Sequence, residues 1–240
     1  MRSWLEVSLG RIRENFGAVR NAVGAADVPP TIDVMAVVKA DAYGHGALEV
    51  SRVLEDAGAG WLAVSNVEEG VALRLAGIKA RILVMADFLP ESRAALKEFG
   101  LTPVIHSLAD VAAVEVPYHL KIDTGMGRLG TRATPETIVA VVAAGQSRLE
   151  GVMTHFASSA NFESGQTEEQ IAHFDRVLRG LRAAGHDPRY IHAASTNSVA
   201  YQRRAAWGNL VRPGHAIYGY VSAARGGGRP QLAVRPALSW

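Results

Sequence analysis

At 240 residues, 48% hydrophobic and 20% charged, the chain has the makeup of one soluble globular domain, and no window approaches the roughly 18 uninterrupted apolar residues of a membrane span. A formal charge of +2, with Lys and Arg scattered, leaves no nucleic-acid footprint. The absence of cysteine excludes disulfides, thiolate catalysis and zinc-thiolate sites, and the N-terminus lacks the apolar run of a signal peptide, so a cytoplasmic protein is expected.

Residues 3–7 are predicted as a short strand. From there Leu9, Ile12, Phe16, Val19 and Val23 recur three and four apart, the spacing of an amphipathic helix with Ser8 as its N-cap. Asp27-Val28-Pro29-Pro30 breaks the chain before a first buried strand over residues 32–38. That strand runs into Lys39 and a turn-rich segment with Asp41, Tyr43, Gly44, His45 and Gly46. Alternation puts Met35, Val37 and Lys39 on one face, and an amine on a core face loses hydration. Its pKa falls, which makes it a usable nucleophile toward an aldehyde. The plainer reading is a surface lysine that closes a strand.

Further along, a helical face through Leu48, Val53 and Leu54 stops at Gly58, and residues 61–64 form the next strand. Asn66 and Glu69 have capping-box spacing and open a helix that ends near Gly77. Strands are then predicted at 82–85, 103–105, 118–122, 149–154, 190–192 and 209–211. Helices are predicted at 91–99, 108–114, 135–144 and 168–184, with a weaker one after Asn197. Eight strands in strict alternation with helices, at close to the ~250 residues typical of such folds, favour an α/β protein closed into a (β/α)8 TIM barrel. An open doubly wound sheet is the alternative, but no Gly-x-Gly-x-x-Gly turn follows the first strand. Residues 223–230 form a glycine-rich loop, and 231–240 read as the start of a strand.

In such a barrel chemistry gathers at the C-terminal strand ends, and polar residues stand there. The strands lead into Lys39, into Lys121 and Asp123, into His155, into His192 with Ser195 and Thr196, and into Arg212. His119, Lys121 and Asp123 share one face of their strand, with Leu120 and Ile122 on the other, so three polar residues are expected inside. From the residues alone, Lys121 reads as an unmodified amine paired with Asp123. The loops with Ser195-Thr196 and with Arg212-Pro213-Gly214 occupy the positions of a phosphate site. No metal site is expected.

Val37-Val38-Lys39-Ala40-Asp41-Ala42-Tyr43-Gly44-His45-Gly46 resembles the pyridoxal-phosphate attachment segment of alanine racemases. Residues 119–130, 153–157 and 211–219 resemble three further signatures of that family. The resemblance implies an isomerase that converts L-alanine to D-alanine, supplying D-alanine for cell-wall peptidoglycan. It implies that Lys39 holds pyridoxal 5'-phosphate covalently, and that Tyr43, Thr196 or Ser195, and the backbone of Gly214 and His215 hold its phosphate. It further implies that Arg212 faces the ring nitrogen, Arg128 contacts the substrate carboxylate region, His155 orients, and Lys121 is a candidate for carbamylation. The alternatives are a one-domain cofactor-binding protein with little catalysis, or a racemase for serine or a broad set of small amino acids.

The chain departs from the family pattern at Ser195, where the family usually has asparagine, and at its end. Family members continue into a β domain that contributes a catalytic tyrosine to the other subunit of a homodimer. Three parts are therefore expected: residues 1–7 as a strand belonging to that β domain, 8–222 as the barrel, and 223–240 as a linker and the start of the β domain. Residues 1–7 and roughly 222–240 are expected to be disordered or ordered only between molecules. The chain alone is expected to bind cofactor and racemise poorly, since Tyr201, Tyr218 and Tyr220 sit on the lysine-bearing domain itself.

Overall fold

A short strand, β1 (Glu6–Val7), precedes eight parallel strands: β2 (Asp33–Val37), β3 (Trp61–Val64), β4 (Arg81–Val84), β5 (Leu101–Ile105), β6 (Tyr118–Lys121), β7 (Leu149–Met153), β8 (Tyr190–His192) and β9 (Leu210–Val211). The computed structural model describes residues 4–24, 32–86 and 88–239. The expected break at Asp27 to Pro30, the start of the first predicted strand at Ser3, and Trp240 lie outside the described residues.

Each strand pairs with the next from β2 to β8, and β2 also pairs with β9, Asp33 opposite Leu210 and Val34 opposite Val211. Asn209 N–H donates to the Ile191 carbonyl at 3.1 Å and Arg212 N–H to the Ala194 carbonyl at 2.9 Å, which draws β8 and β9 together. The result is a nearly closed eight-strand parallel barrel, as the β, α alternation predicts. Side-chain alternation sorts the strands: Met35, Val37, Trp61, Ala63, Leu83, Val104 and Met153 fill the interior. Val34, Ala36, Leu62, Val64, Ile82 and Val84 face outward into a core shared with the helices.

The helices carry the expected caps. In α1 (Leu9–Ala22) the Ser8 side chain accepts the Arg11 amide, and Ile12, Phe16 and Val19 form the buried stripe. After α2 (Ala47–Asp56), α3 (Val67–Leu75) begins with Asn66 accepting the Glu69 amide at 2.9 Å. Then follow α4 (Arg93–Glu98), α5 (Pro135–Ala144), α6 (Gln166–Ala183) and α7 (Thr196–Ala200). The helix predicted over 108–114 is a 3-10 helix, Leu108–Ala113, because this short connection buries one side chain, Val111, too little to hold a full α-helical face. Among the described residues no helix is long and apolar enough to cross a membrane.

The ends of the chain correct the expectation of unpaired strands. β1 pairs antiparallel with β10 (Leu238–Ser239), Glu6 opposite Ser239 and Val7 opposite Leu238. The buried Asn15 side chain donates to the carbonyls of Ile217 and Arg235 and accepts the Arg235 amide, all within 3.0 Å. Ala237 is fully buried and donates to the Tyr218 carbonyl. Earlier in the segment, the Arg225 amide donates to the Ala160 carbonyl and the Phe162 amide to the Arg225 carbonyl. Intramolecular bonds to α1 and to the loop after β7 therefore order residues 222–239.

Candidate active site

Lys39 stands two residues beyond β2, at the head of a single turn, Lys39–Gly44. Ala40, Asp41, Ala42 and Tyr43 all have left-handed backbone, φ between 52° and 54°. Four consecutive non-glycine residues there cost about 1–2 kcal/mol each, so the surroundings must hold the turn in place. They do so with hydrogen bonds. The Ala42 amide donates to the Val38 carbonyl at 2.9 Å, the Gly46 amide to the Asp41 carbonyl at 3.1 Å, and the Ala47 amide to Asp41 Oδ1 at 2.6 Å. The Ala40 amide donates to Glu69 Oε1 at 2.7 Å, while Glu69 Oε2 accepts the Ser65 amide. Lys39 thus leaves the strand's extended path, and its side chain lines a cavity of about 750 Å³ at the C-terminal ends of the strands.

Tyr43, Lys121, Arg128, His155, Ser195, Thr196, Arg212, Gly214 and His215 line the same cavity. The structure therefore brings together every predicted site residue. Its lining includes five Lys or Arg side chains (Lys39, Lys121, Arg128, Arg212 and Arg225) and no carboxylate among the described residues. Burial, then the positive field of Arg128, lowers the pKa of Lys39, and Glu69 opposes that shift. Lys121 is 5% exposed and is held down to about 8 by burial, then by Arg128 and Arg212. His155 is held down to about 3 by burial, then by Arg212, Arg128 and the two lysines, so its ring is neutral. Among the described residues no group of three or more His, Cys, Asp or Glu is placed to hold a metal.

Two expectations about β6 are sorted by the structure. His119 and Lys121 face inward, and Leu120 and Ile122 pack against α5 and α6. Asp123 does not pair with Lys121. Its Oδ1 accepts the amides of Gly125 and Gly127, and its Oδ2 meets Arg132 at 2.7 Å, so it folds the loop after β6. Lys121 instead donates to the Arg128 carbonyl at 3.0 Å, which fixes where Arg128 starts. The return of this loop requires Gly130, at φ 106°, since a Cβ there would lie 2.9 Å from the Asp123 nitrogen.

On the opposite wall, Thr196 Oγ1 accepts the amides of Gly214 and Ala216 at 3.2 and 3.1 Å. The Gly214 amide is thereby engaged, while the His215 amide stands at the first position of the 3-10 turn His215–Tyr218, which does not use it. Thr196 keeps its own hydroxyl proton to donate. The ring of Tyr43 packs against His215 and Tyr218, 5.3 and 5.0 Å between centroids, and burial raises its hydroxyl pKa. A Cβ on Gly214 would lie 2.6 Å from the Tyr43 hydroxyl, so the close approach needs glycine.

Sequence reasoning missed three polar residues that build this site. Glu69 carried a cap signal, but its carboxylate ties α3 to the lysine turn. Gln170, 1% exposed on α6, donates to Thr124 Oγ1 and the His155 carbonyl and accepts the Ala157 amide, joining the ends of β6 and β7. Arg225 comes from the segment read as linker.

The family model for the N-terminal domain of alanine racemase matches residues 7–222. The alanine racemase of Carboxydothermus hydrogenoformans is 38% identical over 246 residues, covering 98% of this chain and 65% of that protein. The alanine racemase of Listeria monocytogenes serotype 4b (strain F2365) is 34% identical over 245 residues, covering 99% and 64%. The chain therefore spans just under two thirds of the length of these relatives. Among solved structures, alanine racemase from Bacillus anthracis with bound L-Ala-P superposes with a TM-score of 0.87 at 29% identity, covering 98% of this chain and 62% of that one. The Clostridium difficile 630 enzyme in complex with cycloserine gives 0.86 at 27% identity, covering 99% and 67%.

Proposed function

The chain belongs to the alanine racemase family, and we propose that it binds pyridoxal 5'-phosphate on Lys39 and exchanges the α-proton of a small amino acid, alanine first. The observation that carries this reading is the cavity itself, where Lys39 stands among Arg128, Arg212 and Lys121 with no carboxylate among the described lining residues. Such a lining suits a phosphorylated, anionic cofactor and a substrate carboxylate.

The residues present fit the group. The close Gly214–Tyr43 approach and the Thr196 hydroxyl form a cradle of donors at the loops after β8 and β9, where barrels of this kind take phosphate. Tyr43, Thr196 with neighbouring Ser195, and the backbone N–H of His215 would hold the phosphate, and Gly214, whose own amide is engaged by Thr196 Oγ1, would leave the space for it. Lys39 would bond the aldehyde carbon, and Arg212 would face the ring nitrogen. When bound, the cofactor supplies an electron sink that acidifies the α-hydrogen of an attached amino acid.

The rest is the work of this chain's side chains. Lys39, with its lowered pKa, accepts or returns a proton at Nζ. Arg212 is held down to about 9 by burial and still carries its charge at neutral pH, so it donates a hydrogen bond without surrendering a proton. Arg128 reaches the cavity from the loop after β6 and is suited to a carboxylate. His155, held neutral, has a ring that can orient a bound group by hydrogen bonding rather than by charge. Carbamylation of Lys121 would place an anion beside Arg128.

One observation favours a second reading, a cofactor-binding protein with little catalysis of its own. Among the described residues, Tyr43 is the one tyrosine that lines the cavity, and it is assigned to phosphate. Borohydride reduction of the chain mixed with pyridoxal phosphate, followed by peptide mapping, tests the shared premise. Label on Lys39, lost in Lys39→Ala, is expected; label elsewhere, or unchanged binding in that variant, overturns it. D-alanine production from L-alanine then separates the two readings, and parallel assays with serine set the substrate range.

A further inference from the structure

A line of buried side chains leaves the cavity and runs back through the barrel. At its head, Arg212 is 3% exposed and meets acceptors only. Nη1 donates to His192 Nδ1 at 3.0 Å and to the His192 carbonyl at 2.5 Å; Nη2 donates to the carbonyls of Thr154 at 2.6 Å and Ala193 at 3.3 Å. His192 Nε2 lies 2.8 Å from His119 Nδ1, and both rings are fully buried. His119 Nε2 makes no hydrogen bond and faces Glu150 Oε2 at 3.9 Å. Glu150, 2% exposed near the start of β7, is gripped by Arg81 at 2.5 Å and Arg148 at 2.8 Å.

The first member dictates the direction of every proton in the line. A guanidinium has five N–H donors and no acceptor, so His192 Nδ1 must present its lone pair. His192 therefore carries its proton on Nε2 and donates to His119 Nδ1. That leaves the His119 proton on Nε2, aimed at a carboxylate. Either ring in its other tautomer would set two donors or two lone pairs face to face in a dry interior, at a cost of about 1–3 kcal/mol. A second proton is opposed as well: burial, then Arg81 and Arg212, hold His119 down to about 3, and burial, then Arg212, hold His192 well below its ordinary value. The seat is shaped for the ring, since a Cβ on Gly151 would lie 2.7 Å from His119.

We propose that Glu150, at the opposite end of the barrel from the cavity, is a positioning residue for Arg212, acting through the Nε2–H tautomers of His119 and His192. The carboxylate selects the tautomer of His119, which selects that of His192, which takes one guanidinium hydrogen; the carbonyls of His192, Thr154 and Ala193 take the other hydrogens of Nη1 and Nη2, so the orientation of the guanidinium is fixed. The consequence for cofactor rests on the reading of Arg212 given above; the tautomer pattern does not.

Long-range proton–nitrogen correlation spectra of the cofactor-free protein, labelled with 15N-histidine, read each tautomer directly. Both rings should be neutral and protonated on Nε2 from about pH 5 to about pH 9. In Glu150→Gln the His119 proton should spread over both nitrogens and the His192 signals should move, while His173 and His186 stay in place. Pyridoxal phosphate should bind that variant about tenfold more weakly. If the variant does not fold, Glu150→Asp, which withdraws the carboxylate from His119, is read the same way. A proton on Nδ1 of either ring in the native chain overturns the proposal without any variant. So do unchanged His192 signals and unchanged binding in a folded variant. Intact tautomers in a native chain that binds no pyridoxal phosphate would instead overturn the reading of the site, and with it the purpose given to Arg212.

Discussion

The carboxylate of Glu69 accepts the backbone N–H of Ala40, the residue after Lys39, at 2.7 Å, and holds the Ser65 amide with its other oxygen. A helix is thereby fastened to the first residue of a left-handed turn that no glycine favours. Glu69→Ala should lower stability by about 1–3 kcal/mol, because two backbone donors lose their partner. Glu69→Gln, which keeps an acceptor oxygen, should lose less. Urea midpoints check the order, and slower borohydride trapping at Lys39 in the alanine variant would show that the turn also positions the amine. Equal stability of all three proteins would refute the clamp.

Gly214 and Tyr43 leave no room for a methyl group, with a Cβ placed 2.6 Å from the hydroxyl. Gly214→Ala should displace the tyrosine and weaken binding of pyridoxal phosphate by about tenfold or more. Binding of pyridoxal without its phosphate should change much less. Equal losses for both ligands would remove Tyr43 from the phosphate site.

Much of this site was legible in the chain because it is local. The segment from Val37 to Gly46 and the run from His119 to Gly130 carry their chemistry in consecutive residues, and strand periodicity placed them at the C-terminal ends of the barrel. What stayed hidden is non-local or has no residue signature. Ala40 and Ala42 give no hint of a positive φ, because the fold imposes it through bonds to Glu69, Val38 and Asp41. Gln170 looks like any helix residue until α6 brings it beneath Thr124 and His155. The pairing of β1 with β10 joins residues more than two hundred positions apart, which no periodicity reports.

Lys121 gives a pH dependence whose sign is fixed. In the fold its pKa lies at about 8, below the 10.5 of an ordinary lysine. The unfolded chain therefore binds the extra proton between those values, and stability should rise with pH across that window. Lys121→Met should remove this rise and be the more stable protein near neutrality, as measured by denaturant midpoints at several pH values. The neutral amine also reacts with carbon dioxide, forming an N–C bond and releasing a proton to solvent. Carbon-13 NMR with labelled bicarbonate should show a carbamate signal in the native chain and none in Lys121→Met; its absence from the native chain would leave Lys121 a plain amine.

Residues 223–239 support the barrel through Asn15, whose side chain makes three hydrogen bonds to Ile217 and Arg235, and through the buried Leu232 and Ala237. A chain ending at Ser222 should lose at least about 1–3 kcal/mol, since Asn15 would keep one partner of two. Trp4 is 71% exposed, so Trp4→Ser should change stability by less than about 0.5 kcal/mol. Thermal or urea unfolding of both variants separates these effects, and an unaffected truncation would mean that the segment merely lies on the surface.

Racemisation needs a proton donor or acceptor on each face of the substrate carbon, and in the function proposed above Lys39 would serve one face. Tyr218 is buried with its hydroxyl donating to the Val37 carbonyl at 2.9 Å, and Tyr201 donates to the Ser222 carbonyl at 2.7 Å. Tyr43 packs beside Gly214, where the phosphate is proposed to sit. None of these is placed to act as the second base. The 240-residue chain should therefore load cofactor yet form D-alanine at least about 100-fold more slowly than the longer Carboxydothermus alanine racemase, the scale on which removing one general base acts. Steady-state rates for the two proteins at matched cofactor loading decide it. A rate within a few-fold of the longer enzyme would mean that a residue of this chain supplies the second base, and His155, on the cavity wall, is the first to replace by glutamine.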